Sequence, residues 1–357
     1  MQLTRRQLLR TAGALAVPAV LAGCGGFSTS ASKPDADKDT LTFTTWGTDS
    51  ELAGFRKAIA AFEKANAGSK VTLNAVPYEQ MFTNIDAQLQ ADKAPDVFRV
   101  PYYTFGGYAG RGQLLDLTSH LPTGFADRFT PTAWKAVQNG GKPFGVPHHT
   151  DTSAILYNKD ALKSAGITSV PTALGQAWTW DELTRVAQTL RKAMPAKKYP
   201  FAYNWQGNGV TRWLSLLFQA NGRFLADDLV APAIDSKAGV AALDFSKSFF
   251  DRKFVPANDS VKSTTYAADL WYSQTTAMVF GGAFMIPDAD STLDFAWGAT
   301  YAPRNVRGGR DFGGNALVAT AKTTKPDLAA KFLDSITRRT RCATSAPVHH
   351  FSPPAGT

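Results

Sequence analysis

The chain is predicted to fold as an α/β protein built on a parallel sheet. Three observations predict this. From Leu41 the sequence alternates strand-like and helix-like segments. The apolar residues switch between a period of two and a period near 3.6 as it does so. The 357 residues are enough for two domains, and 44% hydrophobic with 19% charged content is ordinary for a globular chain with a sizeable core.

Leu41-Thr42-Phe43-Thr44-Thr45-Trp46 is a run of β-branched and aromatic residues and predicts a strand, which Gly47 and Thr48 end. Glu51 to Ala65 predicts a helix, with Leu52, Phe55, Ile59 and Phe62 on one face. Lys70 to Val76 predicts the next strand. Tyr78 to Ala91 predicts a helix through Met81, Ile85 and Leu89. Asp96 to Val100 predicts a third strand. Strand, helix, strand, helix, strand is the signature of parallel pairing. Ligands of such sheets sit at the carboxyl ends of the strands, where Trp46, Tyr78 and Tyr102 fall. Beyond a polar segment, Gly145 to Lys159 contains a further strand-like run. Trp180 to Ala193 predicts a helix capped by Thr179, with Glu182 completing a capping box. Helices are predicted over Gly209–Ala220, Ser236–Arg252 and Pro326–Ile336. Strands are predicted over Thr276–Phe280, Phe295–Ala302 and Leu317–Thr320.

The formal charge of +9 is not a nucleic-acid footprint. Arg5, Arg6, Arg10, Arg338, Arg339 and Arg341 lie near the two ends, and without these six the body carries only +3. The two cysteines, Cys24 and Cys342, imply no structural disulfide.

The first 24 residues set an expectation about location. Thr4-Arg5-Arg6-Gln7-Leu8-Leu9-Arg10 reads as a twin-arginine export signal. An apolar run to Leu21 follows, and then Leu21-Ala22-Gly23-Cys24, which matches the lipobox of bacterial lipoproteins. The apolar stretch is short for a membrane span and contains Pro18. Residues 1–23 are therefore expected to be a signal peptide and Cys24 a lipidated anchor, with 24–39 a flexible tether. The expected location is the extracytoplasmic face of the cell membrane. From Arg338 to Thr357 the chain loses periodicity and contains three prolines and no acidic residue. This tail is expected to be atypical and disordered, either a natural tail or the product of a frameshift that truncates the C-terminus.

The body resembles the extracellular solute-binding proteins of ABC importers, in the sugar-binding family related to maltose-binding protein. Leu41 to Trp46 resembles the opening strand with its ligand-facing Trp. Ala94-Pro95-Asp96-Val97 resembles the third strand. Gly145-Val146-Pro147 with Leu156-Tyr157-Asn158-Lys159 resembles a first interlobe crossing. Ala277 to Phe284, Gly313-Gly314-Asn315 and Ala329 to Leu333 resemble later family segments. The resemblance implies a two-lobed, hinged periplasmic-binding-protein-like fold of type II. Lobe one would be 40–148 plus 293–337, and lobe two 149–292. It implies a monomeric binding protein rather than an enzyme, without cofactor, which passes a carbohydrate to permease subunits.

A sugar offers apolar C–H faces edged by hydroxyls, so it calls for aromatic faces beside polar groups. The ligand candidates are Trp46, Asp96, Tyr102, His149, Asp151, Asn204, Trp205, Trp271, Gly282, Phe284, Gly314 and Asn315. Phe284 stands where the family often has Trp, and the glycines would admit backbone amides to the ligand. His148 and His149 suggest a metal, but neighbours in a strand point to opposite faces, and no metal site is expected. A polyamine or other small solute is the alternative ligand. A secreted glycoside hydrolase is the alternative class; it needs two opposed carboxylates, and the only glutamates are Glu51, Glu63, Glu79 and Glu182.

Overall fold

The structure is a computed structural model and describes residues 38–337, apart from 152, 204, 206–209, 261, 264 and 311. The export segment, Cys24, the tether up to residue 37, Asn204 and the 338–357 tail lie outside the described residues.

The chain begins with β1 (Thr40–Thr45), α1 (Asp49–Ala65), β2 (Lys70–Ala75), α2 (Tyr78–Gln90) and β3 (Val97–Pro101). There follow α3 (Tyr102–Gly110), α4 (Pro131–Lys135), the short β4 (Gln138–Asn139) and β5 (Lys142–Pro143), and β6 (Val146–His149). Next come β7 (Ser153–Asn158), α5 (Lys159–Ser164), α6 (Trp180–Ala193), β8 (Tyr199–Tyr203), α7 (Val210–Gln219), α8 (Lys237–Asp251) and α9 (Ala267–Tyr272). The described chain ends with β9 (Thr276–Gly282), α10 (Ile286–Thr292), β10 (Trp297–Tyr301), β11 (Asn315–Ala319) and α11 (Pro326–Ile336).

Two main sheets result. The first has the order β2-β1-β3-β11-β6 and the second β10-β7-β9-β8. β1 pairs in parallel with both β2 and β3, as the alternating pattern predicts. β11 returns antiparallel between β3 and β6. The sequence pattern puts α1 in place. Thr48 and Glu51 form a capping box at its start, and Phe55, Ala58, Ile59 and Phe62 bury one face. That face meets β1 and α11 through edge-on ring contacts of Phe43 with Phe55 at 5.3 Å and with Phe332 at 5.7 Å. Phe332 is fully buried there, so its truncation to Ala would cost about 3–5 kcal/mol. The second sheet has its own core, where Trp178, Trp180, Phe201, Tyr203, Phe249 and Phe280 pack together.

Two expected limits move. The first lobe was expected to resume at 293, but β10 pairs antiparallel with β7 along its whole length and completes the second sheet. The return to the first sheet falls between Tyr301 and Asn315. At the other crossing His149 still belongs to β6, so the change of sheet lies between His149 and Ser153.

Candidate functional site

A cleft of about 840 Å³ lies between the two sheets. Its first wall is made where the parallel strands end: Trp46 follows β1, Tyr78 follows β2, and Tyr102 and Tyr103 follow β3. Its second wall comes from Arg212 on α7, Tyr266 before α9, Phe284 after β9 and Asp288 on α10. The two crossings between the sheets add His149 and Asp151, and Phe312, Gly314 and Asn315.

The floor is a set of matched charges. Arg99 on β3 is 2% exposed. It donates to the Trp46 carbonyl at 3.0 Å and to Glu51 Oε1 at 3.1 Å. The other Glu51 oxygen accepts from the Thr48 amide at 3.1 Å, so one carboxylate both caps α1 and neutralises Arg99. On the far side Asp151 faces Arg212 at 3.7 Å and His149 Nε2 at 3.5 Å. Burial alone would raise the Asp151 carboxyl. The hydrogen bond from His149, with the Arg212 and Arg99 guanidiniums, more than offsets it and holds the group below its ordinary range. Two carboxyls of the second wall are shifted the other way. Burial pushes Asp269 up, and burial with the carboxylates of Glu51 and Asp49 pushes Asp288 up.

The crossings pack too closely for a side chain at one position. Gly314 has φ +124°, and a Cβ there would stand 2.2 Å from the His149 carbonyl oxygen. The amide of Asp151 donates to Gly313 O, and that of Tyr102 to Gly314 O, both at 3.1 Å. The glycine thus serves the approach of chain to chain.

The cleft brings together Trp46, Tyr102, His149, Asp151, Phe284, Gly314 and Asn315 from the sequence-derived candidates. Four others sit elsewhere. Asp96 lies at the amino end of β3, opposite the cleft, where it accepts from Thr42 and Thr323 and meets Lys325 at 3.4 Å. Trp205 is covered by Tyr203, stacked at 4.0 Å, and belongs to the second core. Trp271 is fully buried between Phe295 and Trp297. Gly282 does not line the cleft; a Cβ there would meet the Phe284 ring at 2.9 Å, so its bareness makes room for that ring.

Trp46 is also less open than expected. The Arg99 guanidinium covers its ring at 4.4 Å, and Tyr78 and Phe82 contact it at 5.2 and 5.6 Å. The open aromatic faces of the cleft are those of Tyr103, Tyr266, Phe284 and Phe312, each 37–44% exposed. Phe312 is stacked on Tyr102 at 5.4 Å. The sequence reading missed Tyr103, Tyr266, Phe312, Arg99 and Arg212. Phe312 carried a signal, an aromatic beside Gly313-Gly314; the others carried none. The Tyr266 hydroxyl donates to Glu79 on α2, a hydrogen bond that crosses the cleft.

The paired histidines do not point apart. Their Nδ1 atoms are 3.0 Å from each other. The β6–β11 register shifts at Asn315/Ala316, opposite them, and breaks the alternation of faces. Among the described residues no group of three or more His, Cys, Asp or Glu is placed to hold a metal ion.

Two α/β halves with a cleft between them, floored by their crossings, define a two-lobed solute-binding protein. The chain belongs to the family of bacterial extracellular solute-binding proteins, which it matches over residues 46–339. It is 25% identical over 323 residues to the maltodextrin-binding protein MdxE of Bacillus subtilis (strain 168), covering 85% of this chain and 71% of that one. It is 25% identical over 244 residues to an arabinooligosaccharide-binding protein of the same organism, covering 67% of this chain and 53% of that one. The chain thus spans between about half and seven-tenths of these relatives' lengths. Among solved structures it is similar to the ABC substrate-binding protein Lmo0181 of Listeria monocytogenes in complex with cycloalternan. That match has a TM-score of 0.74 and 25% identity, covering 84% of this chain and 75% of that one. The GacH receptor of Streptomyces glaucescens shares the fold at a TM-score of 0.73 and 22% identity, covering 86% and 77%.

Proposed function

We propose that this protein captures a neutral oligosaccharide in the cleft and delivers it to the permease of an ABC importer. The observation that carries the reading is the cleft itself: open aromatic faces stand over a floor whose charges are matched in pairs. Glu51 balances Arg99, and Asp151 balances Arg212. Such a floor offers fixed donors and acceptors to hydroxyls while calling for no net charge on the ligand. Relatives named for maltodextrin and arabinooligosaccharide binding, and a neighbour holding cycloalternan, support the same class. Ligand contacts from both lobes would favour closure about the crossings, which is how occupancy reaches the permease. The candidate contacts are Trp46, Tyr102, His149, Asp151, Phe284, Gly314 and Asn315. The family and its neighbours are binding proteins, and no catalytic role is assigned.

The twin-arginine signal and the lipobox support export and anchoring through lipid on Cys24. A relative described as an uncharacterised lipoprotein of Streptomyces antibioticus, 25% identical over 307 residues, agrees. No described helix is long and apolar enough to cross a membrane. Labelled palmitate should enter the wild-type protein and not Cys24→Ser.

Titration calorimetry with maltotriose, longer maltodextrins and arabinooligosaccharides tests the ligand class. Binding that varies little between 50 mM and 500 mM salt supports a neutral sugar. One observation favours a second reading, a cationic solute such as a polyamine or amino sugar: Asp269 and Asp288 line the second wall with their carboxyls pushed up, by burial and, at Asp288, by the Glu51 and Asp49 carboxylates as well, a situation that a bound cation would relieve. That reading requires affinity for spermidine or glucosamine that falls as salt rises.

A further inference from the structure

We propose that His148, which does not itself line the cleft, is a positioning residue: it donates Nδ1–H to His149 Nδ1, fixes His149 as the Nε2–H tautomer, and so fixes a hydrogen-bond donor beside Asp151 on the cleft floor.

The donors around His149 Nδ1 favour one arrangement. His149 Nδ1 has two neighbours, Arg99 Nη2 at 3.5 Å and His148 Nδ1 at 3.0 Å. A guanidinium only donates, so His149 Nδ1 presents its lone pair and its proton resides on Nε2. That nitrogen faces Asp151 Oδ1 at 3.5 Å and Asn315 Nδ2 at 3.2 Å. Asp151 accepts, and Asn315 accepts once its amide is exchanged end for end, which brings its oxygen rather than Nδ2 to the ring; the two ends of a side-chain amide are assigned from their partners. His148 must then carry its proton on Nδ1. Its Nε2 is buried without a partner, which a lone pair tolerates better than an N–H would. The opposite tautomer would strand a buried N–H there and set two lone pairs face to face. His148 also stays neutral. Burial, with the Arg99 guanidinium adding to it, holds it well below the usual imidazole range. Phe55 stacks on its ring at 5.0 Å and fixes its plane.

The consequence is a defined polarity where the two crossings meet. A ligand hydroxyl there finds a donor, His149 Nε2–H, beside an acceptor, Asp151. Without His148 the His149 ring can move its proton to Nδ1 and turn an acceptor to the cleft.

The test uses the whole protein and two substitutions. His148→Phe keeps a ring against Phe55 and removes the donor. His148→Asn places an amide N–H near the former Nδ1. Long-range 1H–15N spectra of the imidazoles read the tautomers without any ligand. The wild type should show His149 protonated on Nε2 and His148 on Nδ1. In His148→Phe, His149 should show both tautomers, and His148→Asn should restore the single form. The role in binding rests on the carbohydrate reading and is measured with maltotriose. Affinity should fall about tenfold in the Phe variant, the worth of one hydrogen bond, and recover in the Asn variant. A wild-type His148 protonated on Nε2, or a His149 tautomer unmoved in His148→Phe, overturns the proposal. If the Phe variant does not fold, the wild-type spectrum decides alone. An altered tautomer with unaltered maltotriose affinity overturns the role in binding. A wild type that binds no saccharide overturns the carbohydrate reading while the spectra still decide the tautomer.

Discussion

Asp259 should make the protein lose stability as pH rises through neutrality. Its side chain is fully buried, Oδ2 accepts from the Tyr203 amide at 2.9 Å, and Oδ1 has no partner among the described residues. Burial pushes the carboxyl from 3.8 up to about 7, with the Tyr203 hydrogen bond opposing only in part. The folded state therefore binds the proton more tightly than the unfolded state. The stabilising contribution is complete below about pH 4 and is lost progressively as pH rises to about 7. A shift of about three units corresponds to something on the order of 4 kcal/mol. Between pH 5 and pH 8 the loss is about 3 kcal/mol, or roughly 4–5 °C in melting temperature. Asp259→Asn keeps an oxygen for the Tyr203 amide and cannot ionise. Melting both proteins at pH 5, 6, 7 and 8 isolates the group, because carboxylates held below their usual range, such as Asp116 at about 2, contribute equally to both. The variant should gain on the wild type from pH 5 to about pH 7 and level off above it. A melting difference that is the same at pH 5 and pH 8 refutes the reasoning.

Three further outcomes follow from individual contacts. Asp96→Ala removes the acceptor shared by Thr42, Thr323 and Lys325; it should cost about 3 kcal/mol in urea unfolding and leave saccharide affinity unchanged, since the residue lies away from the cleft. Gly314→Ala should cost at least about 2 kcal/mol and impair binding as well, because the added Cβ meets the His149 carbonyl at a strained φ. Tyr266→Phe removes the hydrogen bond to Glu79 across the cleft; small-angle scattering of the unliganded variant should show a larger radius of gyration than the wild type.

Local signals wrote much of the fold into the sequence. The α6 limits, Trp180–Ala193, were legible to the residue because Thr179 and Glu182 form the capping box that the sequence spells out. α11 was equally legible from Pro326 and its apolar stripe. The membership of β10 was not. An apolar strand does not state which sheet edge it joins, and both sheets offer one. Asp96 misled because a strand end near the start of a motif says nothing about which end of the sheet binds. Trp205 looked open because its neighbours in sequence are polar. Its covers are Tyr203 and Phe249, the latter 44 positions on. The ion pairs of the floor join Glu51 to Arg99 and Asp151 to Arg212. No periodicity or motif encodes partners so far apart.

The clearest separation of scaffold from platform concerns Trp46 and Phe312. Both line the cleft, yet their surroundings differ. Trp46 is held by the Arg99 guanidinium on one side and by Tyr78 and Phe82 at its edges, and it packs onto the first core. Phe312 rests on Tyr102 and leaves its other face open. Trp46→Ala should therefore act first on stability, by about 3 kcal/mol, because it uncovers Arg99 and leaves a void. Phe312→Ala should leave the melt within about 2 °C of wild type and weaken maltotriose binding about three- to tenfold, the worth of one stacked ring. Melting and calorimetry on the two variants give opposite patterns if this division holds. A Trp46→Ala protein that melts like the wild type but no longer binds would make Trp46 the platform, and Arg99 would then have to move aside when the ligand enters.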